Sequence, residues 1–217
     1  MKNNLIKRTR IKVCGITRPV DGIAAADCGV DAIGLVFYSR SPRVVDLTTA
    51  KAIVATLPPF VVVVALFVNP TPEEVYAVLS YLPVDLLQFH GTETPNFCSA
   101  FSRPYLKAIP MRPETNLSLL AQDYNDARGL LVDAYRPGIP GGTGECFDWN
   151  LLPTQRSFPL VLAGGLNPGN VADAVRRVHP YAVDVSGGVE VAKGIKDPQL
   201  IAAFVQAVQY IDTPTNK

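Results

Sequence analysis

The chain has 217 residues, 48% hydrophobic and 18% charged, which suits one domain spanning 1–217 with a large, doubly covered core and excludes a disordered or highly charged tail protein. Its 20 Lys+Arg against 19 Asp+Glu give a net charge of +1, which predicts no nucleic-acid partner and no acidic membrane surface but leaves room for a local anion pocket. Residues 1–10 read as a polar, basic N-terminal extension with no apolar h-region behind it, so no secretory signal is expected.

The elements follow in chain order. Residues 11–14 are a β-rich run, and 19–28 read as a helix with Pro19 in its first turn and Gly29 as its stop. Residues 32–37 form the next apolar run and 47–57 the next helix. The longest apolar run, 60–68, falls far short of the ~20 residues a membrane helix needs and reads as a buried strand. Thr71 is the expected N-cap and Pro72 the first residue of a helix reaching Tyr81. Strands are expected at 84–89, 105–109, 129–132, 160–163 and 182–185. Helices are expected at 94–101, 116–125, 168–178 and 198–210, with a short helical segment near 148–152 and a glycine-rich loop over 138–144. That makes about eight β-then-α units, the number a closed (β/α)8 TIM barrel requires. The strands are near-continuous apolar runs, as in parallel sheets covered on both faces.

Such barrels carry their active sites at the C-terminal ends of the strands. The first strand delivers Cys14, followed by Gly15, Ile16 and Thr17, and the second leads into Tyr38-Ser39-Arg40-Ser41-Pro42-Arg43. The third ends at Asn69, the fourth in Gln88-Phe89-His90-Gly91, the fifth carries Lys107 and the sixth ends in Asp133. The seventh ends in Ala163-Gly164-Gly165 and the eighth in Asp184-Val185-Ser186-Gly187-Gly188. A reactive or hydrogen-bonding residue at nearly every exit points to a site rather than a bare core. Gly164-Gly165 and Ser186-Gly187 on adjacent exits let backbone N–H groups approach an oxyanion, a phosphate signal in this position.

Single residues leave alternatives open. Cys14 is either a small buried hydrophobe or a reactive thiol. Asp133 is a proton donor in a shielded pocket, a helix cap or a partner of Arg136. His90 reads as a hydrogen-bonded residue rather than a base, and His179 as surface. Cys14, Cys28, Cys98 and Cys146 form neither a CxxC pair nor a Cys/His zinc pattern, so no metal, no disulfide framework and a reducing, cytoplasmic location are expected.

Several motifs carry a family likeness. Lys12-Val13-Cys14-Gly15-Ile16-Thr17, the stretch from Gly34 through Arg43, Leu87-Gln88-Phe89-His90-Gly91, Leu131-Val132-Asp133, Gly141-Gly142-Thr143-Gly144, Gly164 through Val171 and Val183 through Glu190 together resemble the phosphoribosylanthranilate isomerases, in order over nearly the whole chain. The resemblance implies an Amadori rearrangement of N-(5-phosphoribosyl)anthranilate in tryptophan biosynthesis, acting on a small phosphoribosyl substrate without a cofactor. It places Cys14 on the general base and Asp133 on the general acid. It places Arg43 against the anthranilate carboxylate, Gln88, His90 and Asp184 in the substrate pocket, and Gly164, Gly165, Ser186 and Gly187 in the phosphate cradle. Ala163 stands where the family often has Ser, and Ser186-Gly187-Gly188 where it usually has Ser-Ser-Gly, so hydroxyl contact is lost and backbone donors remain. The competing readings are another phosphosugar barrel, of the indole-glycerol-phosphate or thiamin-phosphate synthase type, and a non-catalytic phosphate-binding barrel. Monomer and homodimer are both left open.

Overall fold

The computed structural model describes residues 8–134 and 146–213. The expected glycine-rich loop over 138–144, Arg136 and the first seven residues of the extension lie outside the described residues. The elements run β1 (Arg10–Cys14), α1 (Pro19–Asp27), β2 (Ala32–Val36), α2 (Leu47–Val54), β3 (Val62–Phe67), α3 (Pro72–Tyr81), β4 (Leu86–Phe89), α4 (Pro95–Ser99), β5 (Tyr105–Met111), α5 (Leu117–Asp123) and β6 (Gly129–Ala134). They continue with β7 (Leu160–Leu162), α6 (Val171–Val178), β8 (Ala182–Val185), a hairpin of β9 (Glu190–Ala192) and β10 (Ile195–Lys196), and α7 (Pro198–Asp212). β1 to β8 close into a barrel in sequence order, every pair parallel, with β1 returning to β8.

Local chemistry explains most boundaries. Thr71 accepts from the Glu74 backbone N–H while the Glu74 side chain reaches back to Thr71, a full capping box ahead of α3. α2 stops at Val54, short of 57, because Pro58-Pro59 follow and the residue before proline avoids the helical region. β3 begins at Val62 rather than 60: Phe60 has φ +73° and is 99% exposed, a left-handed backbone that no strand accommodates. α6 begins at Val171 rather than 168, since Asn167 caps the Gly169 N–H and Asn170 caps that of Asn167, bonds that compete with a helical turn. The segment near 148–152 is only a 3-10 turn, Trp149–Leu151, started by Asp148 and ended before Pro153.

The period of two then sorts the strands. Ile11, Val13, Ile33, Leu35, Leu87, Phe89, Leu130, Val132, Val183 and Val185 join the large core shared with the helices. The alternate residues face the barrel interior, where Leu106, Ala108, Leu131, Val161, Ala163 and Ala182 form a separate buried cluster. Above that cluster the same inward rows end in Lys12 and Cys14, Val36, Leu66, Gln88, Asp133 and Asp184. The staves are unequal: β5 and β6 share six paired positions, β7 and β8 only two.

Alternation corrects two sequence expectations. Lys107 lies in register with Tyr105 and Ile109 on the outward row, not with Leu106 and Ala108. Its Nζ donates to the Phe89 carbonyl at 3.2 Å and Glu93 Oε2 at 2.9 Å, both buried, and to the part-buried Gly91 carbonyl at 2.7 Å. Asn69, at φ +48°, accepts from the Thr92 N–H at 2.7 Å and clips the β3 exit to the β4 exit. Both residues brace loops instead of entering the barrel mouth. Replacing Lys107 by Met would leave Glu93 buried and unpaired, so Lys107→Met should cost about 3–5 kcal/mol in urea unfolding.

Candidate active site

The inward rows meet at one cavity at the C-terminal end of the barrel. Its lining includes every residue that the family resemblance assigned a role: Cys14, Arg43, Gln88, His90, Asp133, Gly164, Gly165, Asp184, Ser186 and Gly187.

On the β1 side, Cys14 is 6% exposed. Lys12, two residues earlier and so on the same face, donates to Asp184 Oδ1 at 2.9 Å. A Cβ on Gly34 of the neighbouring strand would lie 2.7 Å from Cys14 Sγ and 3.2 Å from Lys12 Cε, so the thiol and the lysine crowd the space that a glycine leaves. Burial pushes the Cys14 thiol up, the nearby Lys12 ammonium pulls it back, and the net is above the ordinary value. For Lys12, burial works downward but Asp184 and Cys14 outweigh it, and its pKa is raised. Asp184 is raised by burial, with Lys12 opposing.

On the β6 side, Asp133 lies on an inward row. Its Oδ1 accepts the Ala134 N–H at 2.8 Å, and its Oδ2 lies 3.2 Å from His90 Nε2. His90 Nδ1 in turn lies 3.0 Å from the Gln88 amide nitrogen. With the amide in this orientation Nδ1 accepts, so Nε2 carries the proton and donates to Asp133. Gln88 is fully buried, and among the described residues its Oε1 has no partner. Gln88 therefore orients His90, and His90 orients Asp133.

The glycines are dictated by close approach. Gly164 and Gly165 have φ +84° and +65°. A Cβ on Gly188 would sit 1.9 Å from the Leu166 carbonyl oxygen, so the seventh and eighth exits touch backbone to backbone. Ala163 contributes no hydroxyl to the cavity, and Ser186 is left as the hydroxyl beside Gly187.

Sequence reasoning missed Lys12, Glu190 and Lys196 as site residues. Arg43 is held by Glu190 through Nε at 2.8 Å and Nη2 at 2.7 Å. Lys196 Nζ donates at 2.7 Å to Glu190 Oε1, the oxygen that also accepts from Arg43 Nε. Burial works to raise Glu190, but the Arg43 and Lys196 cations win and hold it below the usual glutamate range. Lys12 was legible from its spacing to Cys14. The Glu190–Lys196 pair depends on a hairpin that only the fold brings back over β1. Among the described residues no group of three or more His, Cys, Asp or Glu side chains is placed to hold a metal, and no helix is long and apolar enough to cross a membrane.

Because burial holds the Cys14 thiol above its ordinary value in the free protein, its thiolate should form at higher pH than that of a solvent-exposed cysteine. Iodoacetamide pulses read by peptide mass spectrometry should show Cys14 alkylation rising at higher pH than that of a cysteine in a short peptide. A plateau near neutrality would contradict the burial argument.

Comparison with known proteins shows where this arrangement recurs. Residues 11–207 match the family model described as N-(5'-phosphoribosyl)anthranilate (PRA) isomerase. An N-(5'-phosphoribosyl)anthranilate isomerase from Azotobacter vinelandii is 57% identical over 200 residues, 92% of this chain and 97% of that one. The crystal structure of phosphoribosyl anthranilate isomerase from Thermotoga maritima is 38% identical, with a TM-score of 0.85 over 93% of this chain and 99% of that one. A crystal structure of such an isomerase in complex with reduced 1-(o-carboxyphenylamino)-1-deoxyribulose 5-phosphate is 37% identical, with a TM-score of 0.82 over the same shares.

Proposed function

The chain belongs to the N-(5'-phosphoribosyl)anthranilate isomerase family, and we propose that Cys14 is the base and Asp133 the acid of its reaction. The enzyme converts N-(5-phospho-β-D-ribosyl)anthranilate to 1-(2-carboxyphenylamino)-1-deoxy-D-ribulose 5-phosphate, an Amadori rearrangement in L-tryptophan biosynthesis. One observation carries the assignment of roles: Cys14 from β1 and Asp133 from β6 line one shielded cavity from separate parts of the ring, together with a glycine cradle and an arginine.

The chemistry asks for this set. Asp133 protonates the ribosyl ring oxygen as the C1–O bond breaks, leaving an iminium at C1. The iminium acidifies C2–H, and the Cys14 thiolate removes that proton. The enolamine then takes a proton at C1 and loses one from the C2 hydroxyl to give the ketone. One acid and one base on opposite faces of the substrate suffice, with no net oxidation. Lys12 is the cation that favours the thiolate, and Asp184 holds Lys12 in place. Gly164, Gly165, Ser186 and Gly187 take the 5'-phosphate through backbone N–H groups and one hydroxyl. Arg43 meets the anthranilate carboxylate. All four cysteines are free thiols, which fits the cytoplasm as the site of action.

Cys14→Ala should lower kcat ~10²–10⁴-fold, the usual worth of a general base. Calorimetry should still find the reduced product analogue bound with near-native affinity. If turnover of freshly made substrate, followed by its loss of fluorescence, stays close to wild type, Cys14 is only a packed thiol. Asp133→Asn keeps the size and a hydrogen bond to His90 but cannot supply an acidic proton. It should abolish nearly all turnover while melting temperature and product affinity stay close to wild type. A folded Asp133→Asn enzyme with most of its kcat would rule out the acid role.

A further inference from the structure

Arg43, Glu190 and Lys196 form a cluster that the acid–base scheme does not use. The Arg43, Glu190 and Lys196 side chains are 11%, 5% and 0% exposed. Lys196 Nζ has four acceptors: Glu190 Oε1 at 2.7 Å, the Cys14 carbonyl at 2.6 Å, the Ser186 carbonyl at 3.1 Å and Ser186 Oγ at 3.4 Å. One buried ammonium thus ties the end of β1, the exit of β8 and the Glu190 carboxylate together. Glu190 and Lys196 are paired positions of the β9–β10 hairpin, so their spacing is set by backbone and not by rotamer choice.

The geometry at Arg43 is directional. A guanidinium has five N–H donors in a flat fork with two usable edges. Glu190 occupies the Nε–Nη2 edge side-on. The Nη1–Nη2 edge has no other partner among the described residues, and Arg43 lines the cavity. The charge count points the same way. Arg43 and Lys196 bring two positive charges and Glu190 one negative, so the buried cluster is one anion short.

We propose that Glu190 and Lys196 are positioning residues that fix Arg43 with its outer edge toward the cavity, where it receives the carboxylate of the anthranilate ring and so selects for a carboxylated arylamine. The proposal rests on the reading of Arg43 as the carboxylate partner. Glu190 is not a competitor that the substrate must displace: it fills the edge the substrate does not use. Lys196 keeps Glu190 ionised and in place, and through the Cys14 and Ser186 carbonyls it keys that anchor to the strand end bearing the base.

The test compares two non-reacting ligands by calorimetry: reduced 1-(o-carboxyphenylamino)-1-deoxyribulose 5-phosphate, and the same compound without the carboxyl group. Their affinity ratio isolates the carboxylate. In Arg43→Ala the ratio should collapse toward one; a ratio left intact there overturns the Arg43 reading itself, and the proposal with it. In Glu190→Gln the ratio should fall about tenfold, the lower end for a charge-assisted contact, with the carboxyl-free ligand bound as in wild type. In the Arg43→Ala background, Glu190→Gln should change nothing further. If Arg43→Ala loses the ratio while Glu190→Gln keeps it or binds the carboxylated ligand more tightly, the positioning role is wrong and Glu190 is a bystander or a competitor. Glu190→Asp, which keeps the charge but withdraws it from Arg43, carries the same comparison should the glutamine variant fail to fold.

Discussion

The seam where the barrel closes governs the site. β1 pairs with β8 so that Lys12 stands directly opposite Asp184, and their side chains meet inside the wall at 2.9 Å. A one-residue slip in either strand would send that side chain out into the apolar helical shell and leave its partner buried alone. Breaking such a pair costs about 3–5 kcal/mol, so the ion pair penalises every wrong register far more than it stabilises the right one. The same register puts Cys14 at the inner rim beside Lys12, facing the cavity. Position 34 completes the seam on the other side: only a glycine leaves the volume the thiol and the lysine stem occupy.

Much of this was legible because a parallel barrel writes its layers into the sequence. Near-continuous apolar runs marked the strands, and the expected cap at Thr71 accepts a backbone N–H, as threonine does at such a position. Strand exits then pointed to the residues that line the cavity, since the fold fixes where exits point. What failed was parity. Lys107 and Asn69 sit at or near strand ends like the others, yet one faces outward and the other turns left-handed into a loop. Neither fact is visible without knowing which row of each strand faces in. The boundary errors at Phe60 and Asn167 arose where a single residue's backbone or side-chain bonding overrode an apolar pattern. Glu190 and Lys196 were out of reach for another reason: they lie beyond the last strand, on a hairpin whose return over β1 is a tertiary event.

The polar groups of the mouth are arranged in two tiers. Cys14, Asp133, Arg43 and the glycine exits face the cavity, and each charged or titratable member is braced by polar neighbours: Lys12 and Asp184 beside the thiol, Gln88 and His90 beside the carboxyl, Glu190 and Lys196 behind the guanidinium. Fixing a side chain by hydrogen bonds to its rear removes rotamer freedom before the ligand arrives, so the ordering cost is met during folding and not during binding. Under the proposed roles, holding Asp133 and Cys14 in place in this way would let two groups of modest intrinsic strength act together.

The uneven length of the staves has a thermodynamic corollary. β7 spans three residues and shares only two paired positions with β8, making this the thinnest stretch of the wall, and the glycine exits hang from it. Short ladders with few protected amides are where native proteins open locally, so this sector should exchange its backbone hydrogens at a lower free energy than β5 and β6. If the 5'-phosphate bridges the two exits as proposed, it would act there as a rivet between weakly joined planks. By mass action each increment of occupancy lowers the population of the opened form, and wall and ligand complete one another.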